Sequence, residues 1–334
     1  MTDGVPVPGS LWVYAPNKIA PACFGVAFLV SAIFHIWQCR RYKAWKLVGL
    51  HPVCAVLFTI GYALREYGSF NYIYSPENET TLFIFILSQV FIYVCPPLLE
   101  LANYHVLGRI FYYIPFLAPL PPGRVLATFG GLMALVEVLN AVGVALVANP
   151  SGQQTTQHLG KILVLVAIAL QVLVILIFVA LAGLFHRRCA KKNVKPRAAM
   201  VPLWTLYASM TLIFVRCMYR LVEHTGNTTI KLSDPDALRN LSPLLRYEWY
   251  FYVFEASLML VNSFLWNIWH PGRFLRKNVH LDADGLTEVH EDEKADQRPL
   301  LAKVGNVATF GIFFRNKAAS QQFHQLNEYP SSSQ

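Results

Sequence analysis

The stretch MVPLWTLYASMTLIFVRCMYRLV, Met200 to Val222, reads as a membrane-crossing helix carrying two arginines, Arg216 and Arg220, and no other charge. Glu223 follows, so the three charged residues stand at i, i+4 and i+7 and share one helix face. A guanidinium at mid-bilayer costs roughly 2.5–3.5 kcal/mol even on insertion scales. Such residues therefore pair, face a cavity, and mark function.

Working outward, the rest of the chain carries six further apolar runs: Ile19–Gln38, Lys46–Leu64, Thr81–Leu107, Val125–Val147, Ile162–Phe185 and Tyr247–Trp269. Each is long enough to span a hydrocarbon core of about 30 Å at about 1.5 Å per residue. The runs lack the alternation of a barrel strand, and only helices or closed barrels satisfy their backbone in lipid. The expected fold is all-α: an integral membrane protein with seven transmembrane helices. With 55% hydrophobic and 14% charged residues in 334, an ordinary soluble domain is excluded.

Lys and Arg set the expected orientation. Arg40, Arg41, Lys43 and Lys46 follow the first run, Arg109 and Arg124 the third, Arg187 to Arg197 the fifth, and Arg273 to Lys277 the last. The alternate loops are poorer in basic residues and hold Glu77, Glu79, Asp234 and Asp236. The N-terminus is thus expected outside and the C-terminus in the cytosol. The sequons at Asn78, Asn227 and Asn240 all fall in outside loops, as glycosylation requires. Three regions follow: a short extracellular N-terminus (1–18), the seven-helix domain (19–277) and a mobile cytosolic tail (278–334), acidic at its start and Pro/Ser-rich at its end. The first run lacks a basic leader and a small-residue cleavage site, so it is expected to stay as an anchor. The net charge of +9 is then a topology signal beside anionic lipid, and no nucleic-acid partner is expected.

The six cysteines lie in the runs or in inside loops and show no CxxC spacing, so neither a disulfide framework nor a metal site is read from them. Asp282-x-Asp284-Gly285 lacks the later ligands of a calcium loop. His35, His51, His105 and His270 fall near the inner ends of spans, where three at one level would suit zinc. None has H-x-x-x-H spacing, and capping or interface anchoring is the plainer reading. No phosphate loop, nucleophile elbow or metalloprotease motif is present, so no enzyme activity and no cofactor are expected.

Depth arithmetic pairs the remaining charges. The sixth run points outward, placing Arg216 roughly 10 Å below its outer boundary at about 1.5 Å per residue. The seventh points inward from Glu248 and places Glu255 at matching depth. An Arg216–Glu255 pair is expected, with Glu248 serving Arg220 and with Tyr219 beside them. Either a packing lock or a ligand contact would explain such a pair. Glu137, Asn140 and Gln171 lie deeper, near the middle of the fourth and fifth runs, with no basic residue obviously at Glu137's depth. Pro96-Pro97 in the third run, one turn before Glu100, suggests a kink or hinge. Midplane polar groups on different helices are where carriers place substrate.

These motifs together resemble the fungal lipid-translocating exporters, the RTA-like proteins, over nearly all of residues 10–275. The resemblance is carried by Tyr14-Ala15-Pro16, His35, Gly61-Tyr62 with Arg65, Tyr104 and Leu107-Gly108-Arg109, then by Gly160 and Gln171. Its most specific part is Arg216-Cys217-Met218-Tyr219-Arg220-Leu221-Val222-Glu223, followed by Glu248-Trp249, Phe251-Tyr252, Phe254-Glu255 and His270-Pro271-Gly272. It implies seven helices with the same orientation, a place in the plasma membrane, and movement or release of amphipathic lipids such as sphingoid bases or sterol-like compounds, with resistance to toxic ones. The fourth helix departs from the family's acid, Ser, Gln, Gly pattern: Met133, Val136, Asn140 and Gly143 stand there, and Glu137 lies one turn beyond the usual acid. Glu100 stands where a small or apolar residue is expected. Membrane lipids and an amphipathic lipid substrate are the expected partners. The alternative is a seven-helix lipid sensor signalling through cytosolic regulators of the tail.

Overall fold

The computed structural model describes residues 5–74, 79–148, 154–226, 238–276, 279–282 and 287–290. Among them the chain folds into seven long helical segments. The first helix is Ala20–Arg41, the second Leu50–Phe70, the third Glu79–Tyr113, the fourth Pro122–Ala148, the fifth Gln154–Lys191 and the sixth Arg197–Thr225. The seventh is composite: Glu248–Phe251, a π turn at Tyr252–Ser257, then Leu258–Ile268. Proline and left-handed residues punctuate the chain. Pro196 precedes the sixth helix, and Asn193, at φ 55°, follows the end of the fifth, a conformation that Asn tolerates better than most residues.

Six of these segments are long and apolar enough to cross a membrane. The exception is Leu50–Phe70, expected as the second crossing. It is a continuous helix of 21 residues, but His51, Arg65 and Glu66 lower its apolar content. Neighbouring side chains cover those groups: the helix packs between the first and third helices, and His51 and Arg65 are buried. The third helix runs unbroken through Pro96 and Pro97. Each proline removes one rung of the backbone ladder, and the Cys95 thiol bonds the Phe91 carbonyl just ahead of them at 3.0 Å.

The distribution of polarity is the reverse of a water-soluble bundle. Phe34, Trp37, Leu176, Ile177 and Val261 point outward and exposed, whereas Arg65, Glu100, Asn103, Arg216, Glu255 and Asn262 are buried. Lipid as the surrounding solvent accounts for both halves of that pattern. The chain is a multi-pass membrane protein. Its fourth and fifth helices touch through glycine: a Cβ on Gly160 would lie 2.7 Å from the Gly143 carbonyl, so only small residues permit the approach.

At one end of the bundle residues 5–18 fold over the helix ends. Ser10 bridges Ile73, and Trp12, Val13 and Tyr14 are buried. At the other end the packing takes in residues 279–282 and 287–290, within the stretch expected as the tail. Val279–Leu281 pairs antiparallel with Glu288–His290, with Val279 and Leu281 in the main core. The Tyr113 hydroxyl donates to Glu288 at 2.7 Å, and Arg109 donates to the Arg276 carbonyl. The acidic stretch from Glu291 and the rest of the tail lie outside the described residues, as do Asn78 and Asn227; Asn240 is described and exposed.

Candidate functional site

The sixth and seventh helices meet at a buried ion pair. Arg216 Nε lies 2.6 Å from Glu255 Oε1, and the two residues are 5% and 1% exposed. Depth matching anticipated this pair. The structure adds that Glu255 sits within the π turn, where an extra residue per turn rotates the chain and aims the carboxylate at Arg216. Its second oxygen, Oε2, is buried without a hydrogen-bond partner among the described residues.

The second expected pair does not form. Glu248 serves Arg65, at 3.2 Å, instead of Arg220. The same carboxylate accepts from the Tyr252 hydroxyl at 3.0 Å and from the Asn17 amide at 2.7 Å. Arg65 also donates to the Tyr14 hydroxyl at 2.9 Å and lies over the Phe251 ring at 4.2 Å. Burial holds the Tyr14 phenol well above its ordinary pKa, so it stays a neutral hydroxyl under Arg65. This network ties the N-terminal segment to the second and seventh helices. Arg65, Tyr14 and Tyr252 stand in the motifs that carry the family resemblance, and their meeting at one ion pair is visible only in the fold. A mid-helix arginine beside Gly61-Tyr62 was the available signal.

Arg220 turns instead to its own helix. It pairs with Glu223 at 2.5 Å and stacks over Tyr93 of the third helix, 4.4 Å from the ring centre. Tyr219 donates to the other Glu223 oxygen at 3.5 Å and stacks on Phe254.

Glu137, Asn140 and Gln171 come together with the arginines. They line a polar cavity of about 50 Å³ between the third, fourth, fifth and sixth helices, closed by Tyr93, Pro97, Arg216, Cys217 and Arg220. The expectation that no basic residue matches Glu137's depth is therefore corrected: Arg216 and Arg220 share its cavity. Depth along one helix misjudged this because neighbouring helices tilt and the long arginine stems reach. At the floor Gln171 donates to Glu100 Oε2 at 2.8 Å, and Tyr104 donates to Glu100 Oε1 at 2.5 Å. Glu100 is wholly buried. Beneath it the Tyr104 ring packs on Phe129 and Phe178, at 5.3 and 4.9 Å, and seals the cavity from the far end of the bundle.

A second cavity, of about 480 Å³, lies towards the N-terminal end. Its walls are chiefly apolar, among them Phe85, Val144, Val147, Val164 and Phe251, and Leu11 to Tyr14 also line it. Tyr93 and Arg220 belong to the walls of both cavities. The volume sits within the range of small-molecule sites.

The histidines do not make a metal centre. His35 stacks on His51 at 5.6 Å and bonds Ser263, and His51 lies 5.1 Å from the Trp266 ring. His270 accepts from the Gly272 amide, an end-capping role. Among the described residues no group of three or more potential ligands is arranged to hold a metal.

A sequence model described as RTA1 like protein matches residues 52–278, which takes in the polar cavity and all of the larger one except Leu11 to Tyr14. The chain belongs to the RTA1-like family. Within it, the chain is 53% identical to a lipid-translocating exporter-like protein RTA1 of Leptosphaeria maculans, over 99% of this chain and 65% of that relative. It therefore spans slightly less than two thirds of that relative's length. A protein of the same description from Ajellomyces capsulatus is 31% identical over 70% of this chain and 74% of its own length. A probable lipid transporter, atnI, of Emericella nidulans is 26% identical over 80% of this chain and 69% of its own. No solved structure matches.

Proposed function

We propose that this RTA1-like protein moves amphipathic lipids across or out of a membrane, and that the two cavities hold the two ends of the molecule. One observation carries the reading. An apolar cavity sized for a lipid chain shares a wall, Tyr93 and Arg220, with a polar cavity lined by Glu137, Asn140, Gln171 and Arg216. That sequence of surfaces matches an amphiphile whose headgroup goes deeper than its tail. The names of the relatives support the same direction.

In this reading the second helix is also a crossing, giving seven, with the N-terminus outside and the C-terminus cytosolic. The large cavity then opens towards the outer leaflet and the Tyr104 seal faces the cytosol. Sphingoid bases and sterol-like compounds fit the chamber pair, resistance to such compounds would follow from their removal, and the plasma membrane is the natural site. Glu137 suits an ammonium headgroup, while Arg216 and Arg220 hold Glu255 and Glu223 in place. The test is reconstitution in liposomes with fluorescently labelled long-chain bases. Wild type should move label above empty liposomes, and Glu137→Gln should reduce the rate about tenfold or more at unchanged incorporation. Equal rates in liposomes with and without the protein would end the reading.

A lipid-sensing protein is the second reading, favoured by one feature. Glu288 is bonded to Tyr113 of the third helix, and that helix lines both cavities. Truncation after residue 290 separates the two. Transport that survives the cut supports the carrier, and a cellular response lost with transport intact supports sensing.

A further inference from the structure

We propose that the polar cavity is also a proton site: a proton held between Glu137 and Glu100 leaves when a cationic headgroup enters and returns as it departs. Lipid movement in one direction would then be exchanged for protons in the other. The proposal deepens the carrier reading and rests on it for the identity of the cation.

Charge counting in a confined space is the starting point. Glu137, Arg216 and Arg220 line the cavity, and three further carboxylates are bonded to its lining residues: Glu100 to Gln171, Glu255 to Arg216 and Glu223 to Arg220. The guanidiniums are taken by Glu255 and Glu223. Among the described residues neither Glu100 nor Glu137 has a cationic partner within ion-pair distance. An ionised carboxylate without such a partner costs several kcal/mol in a low-dielectric interior, so two of them call for a compensating positive charge. A proton or a ligand cation supplies it.

The cavity itself points to something that enters. Gln171 is 6% exposed and Arg216 5%, and both present polar atoms to the same space as Glu137 and Asn140. Neither Glu137 nor Asn140 is hydrogen-bonded to another described side chain, whereas Glu100 is bonded on both oxygens. At about 50 Å³ the space is roomy enough for water and too small for a complete lipid headgroup with its chain. Gln171 lines this space together with Glu137 and is bonded to Glu100, so it stands between the two acids. The shared wall of Tyr93 and Arg220 gives the exchange route to the larger cavity, and the Tyr104–Phe129–Phe178 packing blocks the other end.

The groups facing the two acids are few. They are Tyr93 and Tyr104 on the third helix, Gln171 on the fifth, and Arg216, Cys217 and Arg220 on the sixth, with Glu255 of the seventh behind Arg216. His224 bonds the Arg220 carbonyl and lines the larger cavity, outside the acid pair. None of the charged groups is free to neutralise both acids. The proton step is simple in balance: an ammonium replaces one proton, which passes to water in the cavity, and no bond other than O–H changes.

Two measurements on the full chain test this. Infrared difference spectra of the purified protein at neutral pH should show a protonated carboxyl band. That band should fall when a long-chain amine is added and be lost in Glu100→Gln/Glu137→Gln. In liposomes, a gradient of about 1 pH unit should draw a labelled long-chain amino alcohol towards about tenfold accumulation on the acidic side, and faster than in empty liposomes. Glu137→Gln should return that rate to the value in empty liposomes. Absence of the carboxyl band, or wild-type transport indifferent to the gradient, overturns the proposal. A band that falls with the amine while no transport occurs keeps the proton site, removes the exchange, and places the failure with the carrier reading.

Discussion

At the scale of single residues, removing one partner of the Arg216–Glu255 pair leaves a charge in a site nearly closed to water. Breaking a buried pair this way costs about 3–5 kcal/mol, whereas replacing both members with apolar residues of similar volume is often neutral. Glu255→Gln should therefore lower the melting temperature of the detergent-solubilised protein sharply, and Arg216→Met/Glu255→Met should regain most of the loss. If the double variant is stable and still transports, the pair is a packing lock. Recovered stability with transport absent assigns it to the working site. This pair was legible in the sequence because antiparallel helices put Arg216 and Glu255 at one depth. The Glu248–Arg220 assignment failed for a definite reason. Glu248 and Glu255 stand at i and i+7, one face of a regular helix, but the π turn at Tyr252–Ser257 sends them to different neighbours, Arg65 and Arg216. Nothing in a single sequence announces an i→i+5 turn. Glu100 was legible as an oddity one turn past Pro96-Pro97, and its bonds to Tyr104 and Gln171 required the packing of two helices to be seen.

At the scale of elements, long apolar runs were readable from composition alone, since six of the expected spans are helices of membrane-crossing character. The second helix was harder, because its polar residues are covered by the first and third helices instead of being absent. The contact between the fourth and fifth helices is set by Gly143 and Gly160, and it matters because those helices carry Glu137, Asn140 and Gln171. Gly160→Leu would drive a side chain into the Gly143 backbone. Overpacking of this kind costs about 1–3 kcal/mol and would part the two helices, opening the polar cavity. The expected outcome is a lower melting temperature together with faster labelling of a cysteine placed at Asn140 by a water-soluble thiol reagent, judged against the protein's own cysteines as background. Unchanged labelling at Asn140 would mean that the glycine contact does not control the cavity.

At the scale of the whole molecule, the fold is a bundle turned polar side in, with an apolar chamber near one end, a polar chamber beside it and an aromatic seal below. The N-terminal segment lines the larger chamber through Trp12 and Tyr14, and Arg65 and Glu248 hold that segment in place. The central claim is that an amphiphile occupies these chambers, and photolabelling asks that question directly. A long-chain base bearing a photoactivatable group on its tail should be cross-linked to the reconstituted protein and the adducts mapped by mass spectrometry. Adducts are expected on Phe85, Tyr93, Val144, Tyr219 and Phe251, with competition by unlabelled base. Adducts confined to outward-facing residues such as Phe34, Leu176 and Val261, unaffected by competitor, would contradict it.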